Sequence, residues 1–245
     1  MEDKIKQFQE ECWQEIIEQG EDTQLKQASF EWFKQAEKHK YGYHFTWMGR
    51  PIIQLPQDIM AMQELIWQVQ PDVIVETGIA HGGSLIFYSS MLELLNNGGF
   101  VIGVDIDIRE HNRREIEKHP MYKNIKMIQG SSIDDDVVNQ VKALIPEGAK
   151  VLVALDSCHT HAHVLEELRK YSPLVEKGSY LVCMDTIVEY VPEDFNGERP
   201  WGKGDNPMTA MEAFLKENDR FEIDESIDNK ILISESPRGF LKCVK

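Results

Sequence analysis

Two aspartates and three histidines are the residues of this chain best placed to do chemistry. Asp156 follows the apolar run Val151–Leu155 in LDSCHTHAHV (155–164), and Asp185 follows Ser179–Met184 in VCMDTIVEY (182–190). Read as the carboxyl ends of neighbouring strands, these positions lie where open α/β sheets bind ligands. Two carboxylates there, with Thr186, could hold one hard divalent cation through oxygen and lower the pKa of a bound hydroxyl. The plainer alternative is that Asp156 caps the following helix and Asp185 starts a turn. His159, His161 and His163 crowd the same loop. A neutral imidazole is a suitable general base near neutral pH. His159, nearest Asp156, is the first candidate, and Asp156 and His163 complete the candidate catalytic set. A zinc hydrolase is the competing use of the three histidines, yet neither H-x-H-x-D-H nor H-E-x-x-H occurs. At least one of the three can equally cap or pack against the helix from His163.

A second constellation lies upstream. DVIVETGIAHGGS (72–84) reads as a buried strand ending in Glu76, then Gly78, Gly82 and Gly83 leading through Ser84 into a helix. Such glycines let the backbone turn tightly and approach a ligand at a helix N-terminus. About 20 residues further on, where dinucleotide-binding folds place a ribose-binding acid, the next strand ends in Asp105 within VIGVDID. The two halves together point to an adenosine-bearing ligand rather than a purely structural turn. The P-loop pattern G-x-x-x-x-G-K-[ST] is absent, and so is G-x-G-x-x-G. Glu76 would sit badly against a pyrophosphate but suits a cation-bearing, phosphate-free ligand. After the third strand, Ser131 and Ser132 in QGSSID could bond the adenine or merely cap the helix from Asp134.

These residues must be positioned by alternating elements. Strands are expected at Val73–Val75, Phe100–Val104, Ile125–Ile128, Val151–Leu155 and Ser179–Met184, with helices at Ser84–Leu95, Arg109–Lys118, Asp134–Leu144 and His163–Val175. Unbroken apolar strands separated by helices predict a parallel sheet covered on both faces. The alternation then stops: Phe221–Ile223, Ile231–Ser234 and Phe240–Val244 follow closely, and Pro237-Arg238-Gly239 predicts an antiparallel hairpin between the last two. Residues 189–208 lack periodicity and, with Phe195 and Trp201, suit a lid. A helix started by Pro56 and ended by Pro71 precedes the first strand. Residues 1–45 read as a helical arm with an apolar stripe (Phe8, Cys12, Trp13, Ile16, Ile17) and a cluster (Phe30, Trp32, Phe33). Such an arm must pack on the main domain, 46–245, or on another subunit, and a homo-oligomer is expected.

Composition narrows the function class. Among 245 residues, 26 Lys+Arg against 42 Asp+Glu give a net charge of −16, so neither nucleic acid nor an anionic membrane is an expected partner. No run approaches the roughly 20 apolar residues of a membrane span, and the start lacks the apolar segment of a signal peptide. Four cysteines without C-x-x-C pairing read as reduced thiols. A cytoplasmic enzyme is expected.

The E-x-G-x-x-x-G pattern, with an acid closing the second strand and a terminal antiparallel hairpin, resembles the class I S-adenosylmethionine (SAM) methyltransferases. More specifically, VETGIAHGGSLIFYSS (75–90), VIGVDIDIREHNRREIE (101–117), QGSSID (129–134), LDSCHTHAHVLEELRKYSPLVEKGSYLVCMDT (155–186) and RPWGKGDNPMTA (199–210) resemble the cephalosporin hydroxylase/rhamnosyl O-methyltransferase family. The resemblance implies an α/β, Rossmann-like class I methyltransferase fold: a mostly parallel seven-stranded sheet with an antiparallel C-terminal hairpin, plus the helical arm. It implies SAM-dependent O-methylation of a hydroxyl on a sugar or natural-product small molecule; a non-catalytic SAM-binding protein is the other reading. Glu76, Gly78, Gly82, Ser84, Asp105, Ser131 and Ser132 are the expected SAM residues, with Asp156 beside the transfer centre. Magnesium-binding members have an acid where this chain has Cys158 and a Glu-Asp pair where it has Met184-Asp185. Either Asp156 and Asp185 together hold Mg2+ here, or the protein works without a divalent ion.

Overall fold

The computed structural model describes residues 2–195 and 197–245. Two helices, α1 (Glu2–Glu21) and α2 (Thr23–Glu37), precede a short hairpin of β1 (Thr46–Trp47) and β2 (Arg50–Pro51). They are separated by Asp22, whose carboxylate accepts from the amides of Gln24 and Leu25 and so caps α2. Next come α3 (Pro56–Val69), β3 (Val73–Thr77), α4 (Gly83–Leu95), β4 (Phe100–Asp105), α5 (Glu110–Glu117) and β5 (Ile125–Gln129). The chain continues with α6 (Asp135–Leu144), β6 (Val151–Leu155), α7 (His161–Tyr171), β7 (Tyr180–Cys183) and α8 (Pro207–Glu217). It closes with β8 (Phe221–Ile223), α9 (Glu225–Ile231) and β9 (Phe240–Cys243).

The seven-stranded sheet has the order β5-β4-β3-β6-β7-β9-β8. β5, β4, β3, β6 and β7 are parallel, β9 runs antiparallel to β7, and β8 runs antiparallel to β9. Successive strand residues point to opposite faces, so both faces carry a core. Val73, Val75, Val104, Val153 and Leu181 face Val138, Leu168 and Phe214 of α6, α7 and α8. Ile74, Val101, Leu152 and Val182 face Leu65 and Ile66 of α3 and Ile86 of α4. Each such fully buried side chain contributes about 1.5–3 kcal/mol. The chain reverses direction across the sheet between β3 and β6, which opens a crevice at their carboxyl ends.

The closing hairpin differs from the expectation. Ile231–Ser234 is not a strand; α9 occupies Glu225–Ile231, and β9 pairs with β7 and β8 instead. Local chemistry explains this. Asp224 accepts from the Ser226 amide and hydroxyl, and Glu225 and Asp228 occupy the first turn, so DESIDNK starts a capped helix before Ile231 can extend. Arg238, in left-handed backbone at φ 63°, still turns the chain into β9 as expected. The helix expected at His163–Val175 is α7, which begins at His161 and ends at Tyr171.

The N-terminal helices pack against their own chain. The Gln19 side chain of α1 donates to the Asn229 carbonyl of α9, while Phe33 of α2 joins Leu55, Ile187 and Val191 in a small third cluster above the end of β7. Ile5, Phe8, Trp13 and Trp32 remain exposed. Among the described residues, no helix is long and apolar enough to cross a membrane.

Candidate active site

The crevice is built on one close approach. At φ 92°, Gly78 turns the chain away from β3, and a Cβ there would lie 1.9 Å from the carbonyl oxygen of Asp156 at the end of β6. Gly82 is also left-handed (φ 79°) and starts α4. Between them Ala80 holds φ 43°, a conformation costly for a residue with a side chain. The loop is therefore held from outside. One carboxylate oxygen of Asp105 accepts from the amides of Ile79 (2.8 Å) and Ala80 (3.3 Å), and the other accepts from the Asp107 amide (2.9 Å). Arg50 donates to the His81 carbonyl, and Asn112 donates to that of Ala80. These two braces escaped the sequence reading, because Arg50 precedes the motifs and Asn112, though inside 101–117, meets the loop only when α5 packs beside it.

Glu76 lies beneath this loop, fully buried. Its Oε2 accepts from the Ser84 hydroxyl at 2.7 Å, while Oε1 has no partner among the described residues. Burial pushes its carboxyl up to about 8, against the opposing hydrogen bond from Ser84.

Three cavities meet at the crevice. A cavity of about 430 Å³ runs past Gly78, Asp105, Ser131, Ser132, Asp156 and His163. A small one of about 40 Å³ lies between Gln54, Gly78, Gly82 and Ser84. The third, about 520 Å³, is walled by Tyr43, His159, Asp185, Phe195, Trp201 and Glu235. Asp156 and Ala80 line all three. The alternative roles weighed for several residues resolve here. Asp134 caps α6, which leaves Ser131 and Ser132 on the cavity wall. Thr160 rather than Asp156 occupies the N-cap of α7. Asp185, at φ 56°, does open a turn.

The three histidines diverge. The Nε2 of His159 lies 3.6 Å from Oδ2 of Asp185, and the Trp201 ring meets its imidazole edge-on at 4.8 Å between centroids. His161 locks the loop to α8, its amide donating to Asp205 and its Nδ1 lying 2.8 Å from the Thr209 hydroxyl. His163 belongs to a different network: Nε2 lies 2.9 Å from the Ser132 hydroxyl, 3.2 Å from that of Ser157 and 3.5 Å from buried Glu167. Thus the structure brings His159 to Asp156 and Asp185 and holds His163 under the nucleoside-sized cavity. Ser157 and Glu167 lie within the family-like stretch 155–186, but that pattern assigns them no role, since they become site residues only when β6 and α7 pack.

One ligand atom each from Asp156, His159 and Asp185 lie within 4.8 Å of one another. Two carboxylate oxygens and an imidazole nitrogen fit a hard divalent cation. His159 is the third member of the set, able to serve as a donor or, uncoordinated, as a base, whereas Cys158 faces Thr160 and Met184 is buried beside Ser236. The expected help from Thr186 does not materialise, because its hydroxyl donates to the Pro237 carbonyl. Burial, then the neighbouring charges of Asp185 and Glu76, hold the Asp156 carboxyl well above the usual carboxylate range.

Comparison with known proteins follows the same lines. The model of the family described as Rhamnosyl O-methyltransferase/CmcI matches residues 39–244. The rhamnosyl O-methyltransferase of Mycobacterium tuberculosis (strain ATCC 25618 / H37Rv) is 29% identical over 214 residues, covering 84% of this chain and 83% of that protein. That of Mycobacterium leprae is 27% identical, covering 84% and 88%. Among solved structures, CmcI with Mg and SAM aligns with a TM-score of 0.58 at 22% identity, covering 83% of this chain and 78% of that one. An O-methyltransferase from Bacillus cereus in complex with S-adenosylhomocysteine (SAH) aligns at 0.52 with 15% identity, covering 80% and 81%. These two likenesses establish the shared fold, and the family match spans most of the sequence: the chain belongs to the rhamnosyl O-methyltransferase/CmcI family.

Proposed function

We propose that this protein is an O-methyltransferase that uses SAM to methylate a hydroxyl of a sugar or sugar-bearing natural product. One observation carries the reading: a nucleoside-sized cavity and a larger, aromatic-walled cavity meet at Asp156, in a chain whose relatives are named rhamnosyl O-methyltransferases. The unpartnered Oε1 of Glu76 and the cramped Gly78 fit a ligand with an ammonium and a close backbone approach. SAM, when bound, supplies a methyl group on a positively charged sulfur.

The residues divide the work by position. Ser84, at the small cavity, with Glu76 hydrogen-bonded beneath it, receives the amino-acid end of the ligand. Asp105 stiffens the loop and offers its remaining lone pairs to the ribose, and Ser131 and Ser132 face the base. On the acceptor side, Tyr43, Phe195 and Trp201 wall the ring, as aromatic faces commonly do for sugars, and keep water out. His159 takes the proton of the attacking hydroxyl while Asp185 orients its imidazole. Holding the hydroxyl in line with the methyl carbon removes most of the entropic cost of the encounter. Asp156 and Asp185, with His159 beside them, are the residues that would hold a divalent cation such as Mg2+, which would acidify the acceptor hydroxyl.

The exposed Ile5, Phe8 and Trp13 of α1 support association of two copies through that helix. Free Cys12, Cys158, Cys183 and Cys243 suit the reducing cytoplasm. The decisive assay supplies methyl-labelled SAM with a panel of rhamnosides and related glycosides. Labelled product and SAH should form together; a purified protein that binds neither SAM nor SAH would sink the reading.

A further inference from the structure

The small cavity of about 40 Å³ has a second wall besides the glycine loop, the segment from Pro51 to Gln54. That segment is fixed on both sides. The Ile52 amide donates to the Phe45 carbonyl (3.1 Å), and the Leu55 carbonyl accepts from the Ile59 amide (3.1 Å) where Pro56 starts α3. At the start of α4 a Cβ on Gly83 would lie 2.1 Å from the Pro51 carbonyl oxygen, so segment and helix meet through backbone. Ile52 and Leu55 are anchored in the core, and Gln54, carried in between them, is only 4% exposed.

Neither polar atom of the Gln54 carboxamide has a hydrogen-bond partner among the described residues. An amide buried in this way is costly, because its contacts with water are lost without replacement. The Tyr88 hydroxyl lies close to both Gln54 and Glu76, yet it too is unpartnered, as is Oε1 of Glu76. With Glu76 ionised, that hydroxyl has one proton for two oxygens. The opposite wall offers the complementary groups. No side chain caps α4, so its first-turn amides at Gly83 and Ser84 are left as donors beside the same cavity. The small cavity joins the nucleoside-sized one at Gly78, Ala80 and Asp156. Its volume is too small for a ring system and suits the short polar tail of a nucleoside.

We infer that Gln54 is a cofactor-binding residue that reads the α-amino acid head of SAM, its carbonyl accepting from the ammonium while the carboxylate lies at the start of α4. The amide N–H groups then turn to the Tyr88 hydroxyl, which donates to Glu76, and the one ammonium completes the row. This inference rests on the SAM-dependent reading. It adds the residue by which the protein separates SAM and SAH from nucleosides that lack the amino-acid head.

Calorimetry with two thioether nucleosides tests this without turnover: SAH carries the amino-acid head, and methylthioadenosine does not. The unaltered protein should bind SAH at least about tenfold more tightly than methylthioadenosine, as expected of a charge-assisted hydrogen bond in an enclosed site. Gln54→Met, close in size but without the amide, should weaken SAH at least about tenfold and leave methylthioadenosine within about twofold. Gln54→Asn keeps the amide but withdraws it by one methylene, and it should weaken SAH in the same selective way. Equal affinities of the unaltered protein for the two nucleosides, unchanged SAH affinity in Gln54→Met, or an equal loss for both nucleosides overturns the inference. Failure of both variants to fold assigns Gln54 to the core and overturns it as well. If neither nucleoside binds the unaltered protein, the SAM reading itself falls, whereas SAH binding that is indifferent to Gln54 overturns this inference alone.

Discussion

Gly78 and Asp156 directly follow the adjacent parallel strands β3 and β6, and the gap between them is closed by backbone alone: a Cβ on Gly78 would fall 1.9 Å from the Asp156 carbonyl oxygen. The contact presses the glycine loop against the residue that borders every cavity of the site. Gly78→Ala must displace β3 from β6 and also force alanine into φ 92°. Such strain costs about 1–3 kcal/mol before the clash is counted. The expected outcome is a lower melting temperature and loss of measurable SAH binding; a variant with both intact would show that the loop can relax.

Asp105→Ala releases three backbone amides at once, those of Ile79, Ala80 and Asp107. Without them the left-handed Ala80 turn is held only by Asn112 on its own carbonyl and Arg50 on that of His81. SAH affinity should fall by about two orders of magnitude, in line with losing charge-assisted hydrogen bonds, while the circular-dichroism spectrum stays that of the wild type. Calorimetry gives the affinity directly.

Glu76 makes the site pH-dependent. Burial lifts its carboxyl to about 8 in the folded chain from about 4.5 unfolded. A group with a raised folded pKa contributes stability that is complete below the unfolded value and is lost as the pH rises through the folded one. The ligand-free protein should therefore lose stability from this group between those two pH values, at up to about 1.4 kcal/mol per pH unit. Asp58, lifted to about 7 by burial, adds the same trend over a window that closes earlier. An ammonium-bearing ligand needs Glu76 ionised, so SAM should bind more tightly as the pH approaches 8. Glu76→Gln should flatten its share of both profiles; urea titrations and calorimetry at several pH values would reveal a pH response that does not change.

His159→Ala removes the proposed base but not the cofactor cavity, which it does not line. Turnover should fall by about 10²- to 10⁴-fold, the usual contribution of a positioned base, with SAH affinity within a factor of about two. Asp185→Asn should act in the same direction, because it removes the oxygen facing His159. Exhaustive dialysis against EDTA should lower turnover and added Mg2+ should restore it. Unchanged turnover after dialysis would remove the divalent ion from the mechanism.

Trp201→Ala opens the wall beside His159 without touching the glycine loop. The acceptor KM should rise at least several-fold, as expected when a stacking surface worth about 1 kcal/mol is lost, and the KM for SAM should hold. A fall in kcat at unchanged acceptor KM would assign Trp201 to orienting His159 instead.

Much of this arrangement was legible in the linear chain because it depends on short-range constraints. Alternating buried strands and helices announce a parallel sheet. A turn after β3 that only glycine can make, followed by an acid ending β4, announces a nucleoside site, and the motifs from 75 to 210 carry the family. Segments whose local and tertiary preferences compete were harder to read. Ile231–Ser234 has strand-like residues, but the Asp224 cap starts a helix ahead of it. His159, His161 and His163 are equivalent as a pattern, yet helix geometry sends them to Asp185, to Thr209 and to Ser132. Glu37, Asp58 and Glu235 lie far apart in sequence and share an environment only because α2 and the segment before β9 close over the end of β7. Period and turn chemistry are local and can be read from neighbouring residues. The field at a buried carboxylate is a sum over whatever the folded chain brings near it, and only the packed molecule contains that sum.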